Sequence, residues 1–240
     1  YRDLDDGALS NILLRGRSGA VLRRSVAAAL PALRAAGRAA DVRLIVDVGG
    51  GRGQHPAHRF AVEKIELITA RSHGLSLEQG KQVVPGEPAA EMAARLARVK
   101  AEVVAARHPE AIVIGSDQVA LRGADLLGKP GSIERCREQL RTSSGQEVVF
   151  LTAVHVIDGS AGRTESHVDR TVVKFRDLSD AEIDRYIERD QPLDCAGGFK
   201  AEALGIALFD RIESVDPTGL TGLPLSWLCG ALRRARVPIP

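Results

Sequence analysis

The sequence predicts an α/β fold: a mixed central sheet flanked by helices. Three observations carry that reading. Ile112-Val113-Ile114 is an uninterrupted apolar run of the kind that forms a buried strand. Two β-rich runs, 147–157 and 164–175, are joined by the turn-forming Asp158-Gly159-Ser160-Ala161-Gly162, a hairpin signal. Between and around them lie segments with helical periodicity, so strands and helices intermix along the chain instead of segregating.

The elements follow in order. Residues 22–38 have helical character, interrupted at Pro31 by the missing N–H and fixed ring of proline. Residues 43–48 are strand-like, and Gly49-Gly50-Gly51-Arg52-Gly53 has to be a loop. Residues 88–107 read as an amphipathic helix, with Met92, Leu96 and Val99 spaced three or four apart as its apolar stripe. A buried strand is expected over 111–116, leaving Gly115-Ser116-Asp117-Gln118 at a glycine-bounded turn at its mouth. A helix over 132–140 ends near Ser144-Gly145, and the hairpin comes next. Ser179-Asp180-Ala181-Glu182 has the spacing of a capping box, in which Ser and Glu satisfy each other's backbone N–H groups, and it starts a helix from Asp180 to about Arg189. Residues 205–212 form a further strand and 225–234 a last helix. No internal repeat is present. The chain divides into an atypical Arg/Ala/Gly-rich segment, 1–85, and a locally consistent domain, 86–240.

Composition narrows the function classes. With 240 residues and 44% hydrophobic content, the chain is long enough for a substantial core. The formal net charge of +2 gives no global argument for nucleic-acid binding, although residues 11–43 hold many arginines and few acids. Three scattered cysteines, Cys136, Cys195 and Cys229, make neither a disulfide framework nor a zinc site, which fits a reducing cytoplasm. No apolar run approaches a membrane span. The first residue is Tyr1 and the single methionine is Met92, as expected of a fragment or a processed product. The Arg/Ala-rich stretch near the start has a superficial likeness to an organelle transit peptide.

Chemistry concentrates in a few places. Ile45-Val46-Asp47-Val48-Gly49-Gly50-Gly51-Arg52-Gly53 has the look of a methyltransferase cofactor loop, but a lone Gly-rich loop is a weak signal and the alternating strands and helices such a domain needs do not surround it. Asp117 and, a dozen residues later, Lys129 within Gly128-Lys129-Pro130 are stronger. An acid at a strand end holds a divalent metal or activates water, and a lysine is a compact point charge suited to a phosphate oxygen. Only six of the 33 basic residues are lysines, and three of them, Lys100, Lys129 and Lys200, stand in motif-like surroundings. In Asp194-Cys195-Ala196-Gly197-Gly198-Phe199-Lys200-Ala201-Glu202 the tandem glycines would let a ligand approach the backbone, and on an extended segment Lys200 and Glu202 would share a face. His108 and His155 have no assigned role, and Trp227 reads as a core residue.

Taken in order, Leu96-Ala97-Arg98-Val99-Lys100-Ala101, Ile114-Gly115-Ser116-Asp117-Gln118, Gly128-Lys129-Pro130, Ser144-Gly145, Val173-Lys174-Phe175-Arg176, Tyr186, Cys195-Ala196-Gly197 and Asp216-Pro217 with Gly222-Leu223-Pro224-Leu225 resemble the Maf family of nucleoside triphosphate pyrophosphatases over residues 86–240. Phe199-Lys200-Ala201-Glu202 and Asp216-Pro217 are similar to the branch acting on 7-methyl-GTP; the dTTP/UTP branch has a glutamine at the glutamate position. The resemblance implies a Maf/Ham1-like, inosine-triphosphatase-like sheet with a nucleotide cleft, and hydrolysis of the nucleotide to its monophosphate and pyrophosphate. It implies Asp117 as general base or metal–water ligand, and Lys100 and Lys129 as phosphate grips. Gln118 and Glu202 are implied for base selection, and Lys200 and Ser116 for phosphate or base binding. A divalent cation (Mg, Mn or Co) would be the cofactor and a nucleoside triphosphate the partner, in a cytoplasmic protein with a possible homodimeric state.

The family pattern also includes an N-terminal Ser-rich, Arg-containing loop and a short acidic motif ending in a glutamate. Neither is found: Leu67-Ile68-Thr69-Ala70-Arg71-Ser72 is a poor substitute, and Arg15, Arg17, Arg23 and Arg24 match the loop in composition alone. GC-rich DNA read out of frame, or a divergent or fused segment, would each give such a stretch. The alternative to an active enzyme is therefore a catalytically impaired nucleotide-binding regulatory protein linked to cell division.

Overall fold

The computed structural model describes the backbone of residues 43–48 and 64–67 and the whole of residues 84–237. The expected helix over 22–38, the loop over 49–53 and the four N-terminal arginines lie outside the described residues.

A seven-stranded mixed sheet forms the centre, in the order β2-β1-β3-β5-β6-β7, with β4 paired to β3. Its strands are β1 (Arg43–Val48), β2 (Lys64–Leu67), β3 (Ile112–Arg122), β4 (Asp125–Leu127), β5 (Glu147–Asp158), β6 (Arg163–Phe175) and β7 (Phe209–Ser214). Strand β1 runs parallel to both β2 and β3. The remaining pairings are antiparallel. Two strands from the first 85 residues thus share a sheet with the rest.

Successive strand residues point to opposite faces, and β3 shows both. Ile112, Ile114 and Ala120 face a layer made of α2 (Ile133–Ser143), α3 (Asp180–Asp190) and α4 (Leu225–Arg234). Val113 and Val119 face α1 (Ala89–Ala105) on the other side. Within the first layer, Phe175, Phe199 and Phe209 meet edge to face at centroid distances of 4.8–5.6 Å, the arrangement aromatic quadrupoles favour.

Helix α1 buries a different stripe from the expected one. Met92, Leu96 and Val99 are only half-buried; Ala93, Ala97 and Ala101 are fully buried, with Val104. The reason is close approach. A Cβ on Gly115 would stand 2.8 Å from the Ala101 nitrogen and 3.0 Å from the Ala101 Cβ. Only small side chains let a helix axis come so near a sheet.

That same contact corrects the expected turn. Gly115 is strand, not punctuation, and Asp117 and Gln118 continue β3 in register with Ala153 and Thr152 of β5. The expected strand over 205–212 begins later, at Phe209: Leu204–Leu208 is a 3-10 turn, closed by the Gly205 N–H donating to the Lys200 carbonyl at 3.1 Å. The remaining boundaries follow their sequence signals. The Ser132 hydroxyl accepts from the Arg135 N–H at the start of α2, and Glu182 Oε2 reaches back to the Ser179 N–H at 2.9 Å at the start of α3.

Candidate functional site

The sheet and α1 bring together two of the residues singled out in the sequence. Lys100 lies on the buried face of α1, three residues after Ala97, and is 6% exposed. An ammonium so placed has to be paired, because desolvating a lone charge is costly. Its Nζ donates to Asp117 Oδ1 at 2.6 Å and to the Ser116 carbonyl at 2.9 Å. Among the described residues, one of its three N–H groups is left over. Asp117 is 19% exposed. The site is a strand acid on the α1 face of β3, clamped on one side by a buried cation.

The other face of β3 carries a polar seam. Gln118, Thr152 and Asp169 are direct cross-strand neighbours on β3, β5 and β6, and residues 216–222 lie over them. Gln118 Nε2 donates to Thr152 Oγ1 at 2.8 Å and to the Gly219 and Leu220 carbonyls at 3.1 and 3.2 Å. The Ser116 hydroxyl is wholly buried and is shared between the Ala153 and Gly222 carbonyls, each at 2.8 Å. Burial, with the Asp216 carboxylate next, pushes the Asp169 carboxyl above its ordinary value.

The other sequence-selected residues fall elsewhere. Lys129 is exposed on the segment between β4 and α2, without a hydrogen-bond or ion-pair partner among the described residues. Lys200 donates from Nζ to the Asp190 carbonyl at 2.6 Å, satisfying the last carbonyls of α3. Glu202 is half-buried within the turn 201–203, so the extended geometry that would align it with Lys200 is absent. The tandem glycines serve packing. Gly197 and Gly198 both have positive φ, and a Cβ on Gly197 would crowd Phe150 and Phe199 at 3.1 Å.

Two polar residues went unassigned in the sequence. Asp216 is buried, and its carboxylate accepts from the Thr218 N–H and hydroxyl and from the Ser226 N–H at 2.7 Å. Thr218 Oγ1 in turn accepts from the Leu225 N–H at 2.8 Å. The signal was present: Asp-Pro-Thr ahead of a helix is capping chemistry.

A separate hollow between the first turns of α1 and strands β5 and β6 is lined by Glu87, Glu91, Arg95, Arg98, His155 and Ser166, and includes neither Lys100 nor Asp117. Glu87 and Arg95 satisfy each other there through two contacts of 2.6 Å. No group of three or more His, Cys, Asp or Glu side chains among the described residues is placed to hold a metal. A single carboxylate facing a triphosphate is nonetheless an ordinary Mg²⁺ arrangement, since that ion keeps several waters and takes the substrate's own phosphate oxygens. No described helix is long and apolar enough to cross a membrane.

Comparison with known proteins matches residues 58–235 to the Maf-like protein family model, so the match begins ahead of residue 86. A 7-methyl-GTP pyrophosphatase of Alkalilimnicola ehrlichii is 54% identical over 155 residues, covering 65% of this chain and 78% of the relative. One from Bordetella parapertussis is 52% identical over 176 residues, covering 73% and 87%. One from Pseudomonas putida is 45% identical over 160 residues, covering 67% and 83%.

Proposed function

The chain belongs to the Maf family, and from that premise we propose that it is a nucleoside triphosphate pyrophosphatase acting on 7-methyl-GTP. The observation that carries the reading is the buried Lys100 ammonium held on Asp117, a pairing that fixes an acid and a cation at one point of the sheet in a chain about half identical to enzymes of that name.

In the reaction, the oxygen of a water bonds to the α-phosphorus. The bond from that phosphorus to the α,β-bridging oxygen breaks, pyrophosphate leaves, and the monophosphate remains. Asp117 orients the water and takes its proton on the oxygen not bonded to Lys100. The remaining Lys100 N–H and the exposed Lys129 ammonium hold phosphate oxygens and stabilise the charge developing on them. A divalent cation, bound by Asp117 and the substrate, would neutralise the triphosphate. Glu202 selects the base: a 7-methylguanine ring is positively charged, so a carboxylate attracts it more than it attracts guanine. Gln118 and Ser116 support the site from beneath, since their polar hydrogens are spent on backbone carbonyls and Thr152. Lys200 acts through α3 and the turn that carries Glu202. The cytoplasm and a homodimeric state complete the reading.

The test is Mg²⁺-dependent pyrophosphate release from 7-methyl-GTP, GTP, UTP, dTTP and CTP by the full chain and by Asp117→Asn. The expected result is fastest release from 7-methyl-GTP, lost in the variant. Retained binding with no release from any nucleotide would instead favour an impaired regulatory protein.

A further inference from the structure

The functional reading places no demand on residues 216–222, yet their side chains and carbonyls are tied by many hydrogen bonds behind the site. We propose that Asp216 and Thr218 are positioning residues for Asp117, acting through the turn they brace; this rests on the pyrophosphatase reading.

The chain of contacts is continuous. Asp216 and Thr218 are locked to each other and to the first N–H groups of α4, at Leu225 and Ser226. Helix α4 is itself anchored, with Leu228, Ala231 and Leu232 packed on Ile112 and Ile114. The turn between them is therefore held at both ends. Its carbonyls at Gly219, Leu220 and Gly222 accept from Gln118, Thr152 and Ser116. Ser116 and Gln118 are the two chain neighbours of Asp117, and both bond away from the α1 face. The turn thus holds the backbone on each side of the acid from behind, while Lys100 holds the acid and the Ser116 carbonyl in front. The contact is close: a Cβ on Gly219 would overlap the Asp169 carboxylate, so the turn rests directly on β6.

This separates positioning from binding. Loosening the turn leaves the phosphate grips in place but lets Asp117 wander from the attacking water, and a misplacement of about 1 Å costs roughly a hundredfold in rate. Thr218→Val keeps the shape and removes the hydroxyl, so kcat for 7-methyl-GTP falls about tenfold or more with KM changed less than about threefold. Thr218→Ser restores kcat. Gln118→Met cuts the same contact from the strand side, and the double variant loses no more than the worse single one, because both act through one turn. Emission of Trp227, the chain's single tryptophan and the residue after Ser226, shifts in Thr218→Val and returns in Thr218→Ser, a readout independent of activity. Wild-type kcat in Thr218→Val, a loss shared by Thr218→Ser, or fully additive losses in the double variant would each overturn the proposal. If the wild-type chain released no pyrophosphate, the functional reading would fall first, and unchanged Trp227 emission in Thr218→Val would overturn the bracing as well.

Discussion

Replacing Gly115 by alanine tests how the site is assembled. The added methyl group meets backbone: the Ala101 nitrogen at 2.8 Å, the Ala101 Cβ at 3.0 Å and the Ala97 carbonyl closer still. Comfortable carbon contacts begin near ~3.5 Å, so relief at the Ala101 nitrogen alone needs a retreat of roughly 0.7 Å, and relief at the Ala97 carbonyl more. Backbone cannot rotate away as a side-chain tip does, so α1 has to move outward as a body by about 1 Å. Gly115 has an ordinary negative-φ strand conformation, so no backbone strain confuses the result. Overpacking of this kind costs about 1–3 kcal/mol of stability. Lys100 rides on the displaced helix and leaves its 2.6 Å contact with Asp117, which predicts a fall in kcat/KM of about a hundredfold. Urea unfolding gives the first quantity and pyrophosphate release from 7-methyl-GTP the second. An alanine variant with wild-type midpoint and activity within about twofold would refute the claim that helix-to-sheet spacing sets the site.

Three further outcomes follow from exposure and charge. Lys129→Ala keeps its stability within about 0.5 kcal/mol, because the side chain is exposed and has no partner among the described residues, yet loses about a hundredfold in kcat/KM as a phosphate grip. Lys100→Met loses activity and also about 1–3 kcal/mol in urea, since it strands a half-buried carboxylate that still reaches some solvent. At acid pH, hydrogen bonds from the Ser179 backbone and hydroxyl, followed by Arg176, hold the Glu182 carboxyl down at about 2. A depressed carboxylate stabilises the fold above its unfolded value of 4.5 and loses that contribution as pH falls from there through about 2. Glu182→Gln therefore flattens the acid limb of a stability–pH curve in that window.

Much of the α/β order was legible because its signals are local. The hairpin announces itself through Asp158-Gly159 and the β-rich runs on either side, and helices α2 and α3 through Ser132 and the Ser179–Glu182 box. What escaped reading depends on partners remote in sequence. Gly115 looks like a turn residue, and only the arrival of α1 explains why it is a glycine inside a strand. Gly197 and Gly198 look like a ligand-binding loop until Phe150 and Phe199 fill the space beside the first and Cys136 the space beside the second. The sequence singles out Lys100 and Asp117, which the structure pairs, and it also singles out Gln118 and Ser116, whose polar hydrogens the fold spends on backbone carbonyls. Their acceptors at Gly219, Leu220 and Gly222 lie about a hundred residues along the chain, beyond any local pattern.

The placement of β1 has a consequence for how the molecule assembles. Strands β3, β5, β6 and β7 form an antiparallel run around the tightly turned β5–β6 hairpin, whose contacts form early because little chain entropy is lost in closing it. Strand β1 comes from far upstream and docks in parallel beside β3, a non-local pairing that is intrinsically slow. Until it docks, β3 is an open edge displaying Ile112-Val113-Ile114, a short apolar β-branched stretch of the type that recruits other chains. The strand that carries the acid is thus also the place where a folding intermediate is most adhesive, and yield on refolding is governed by how soon β1 covers it.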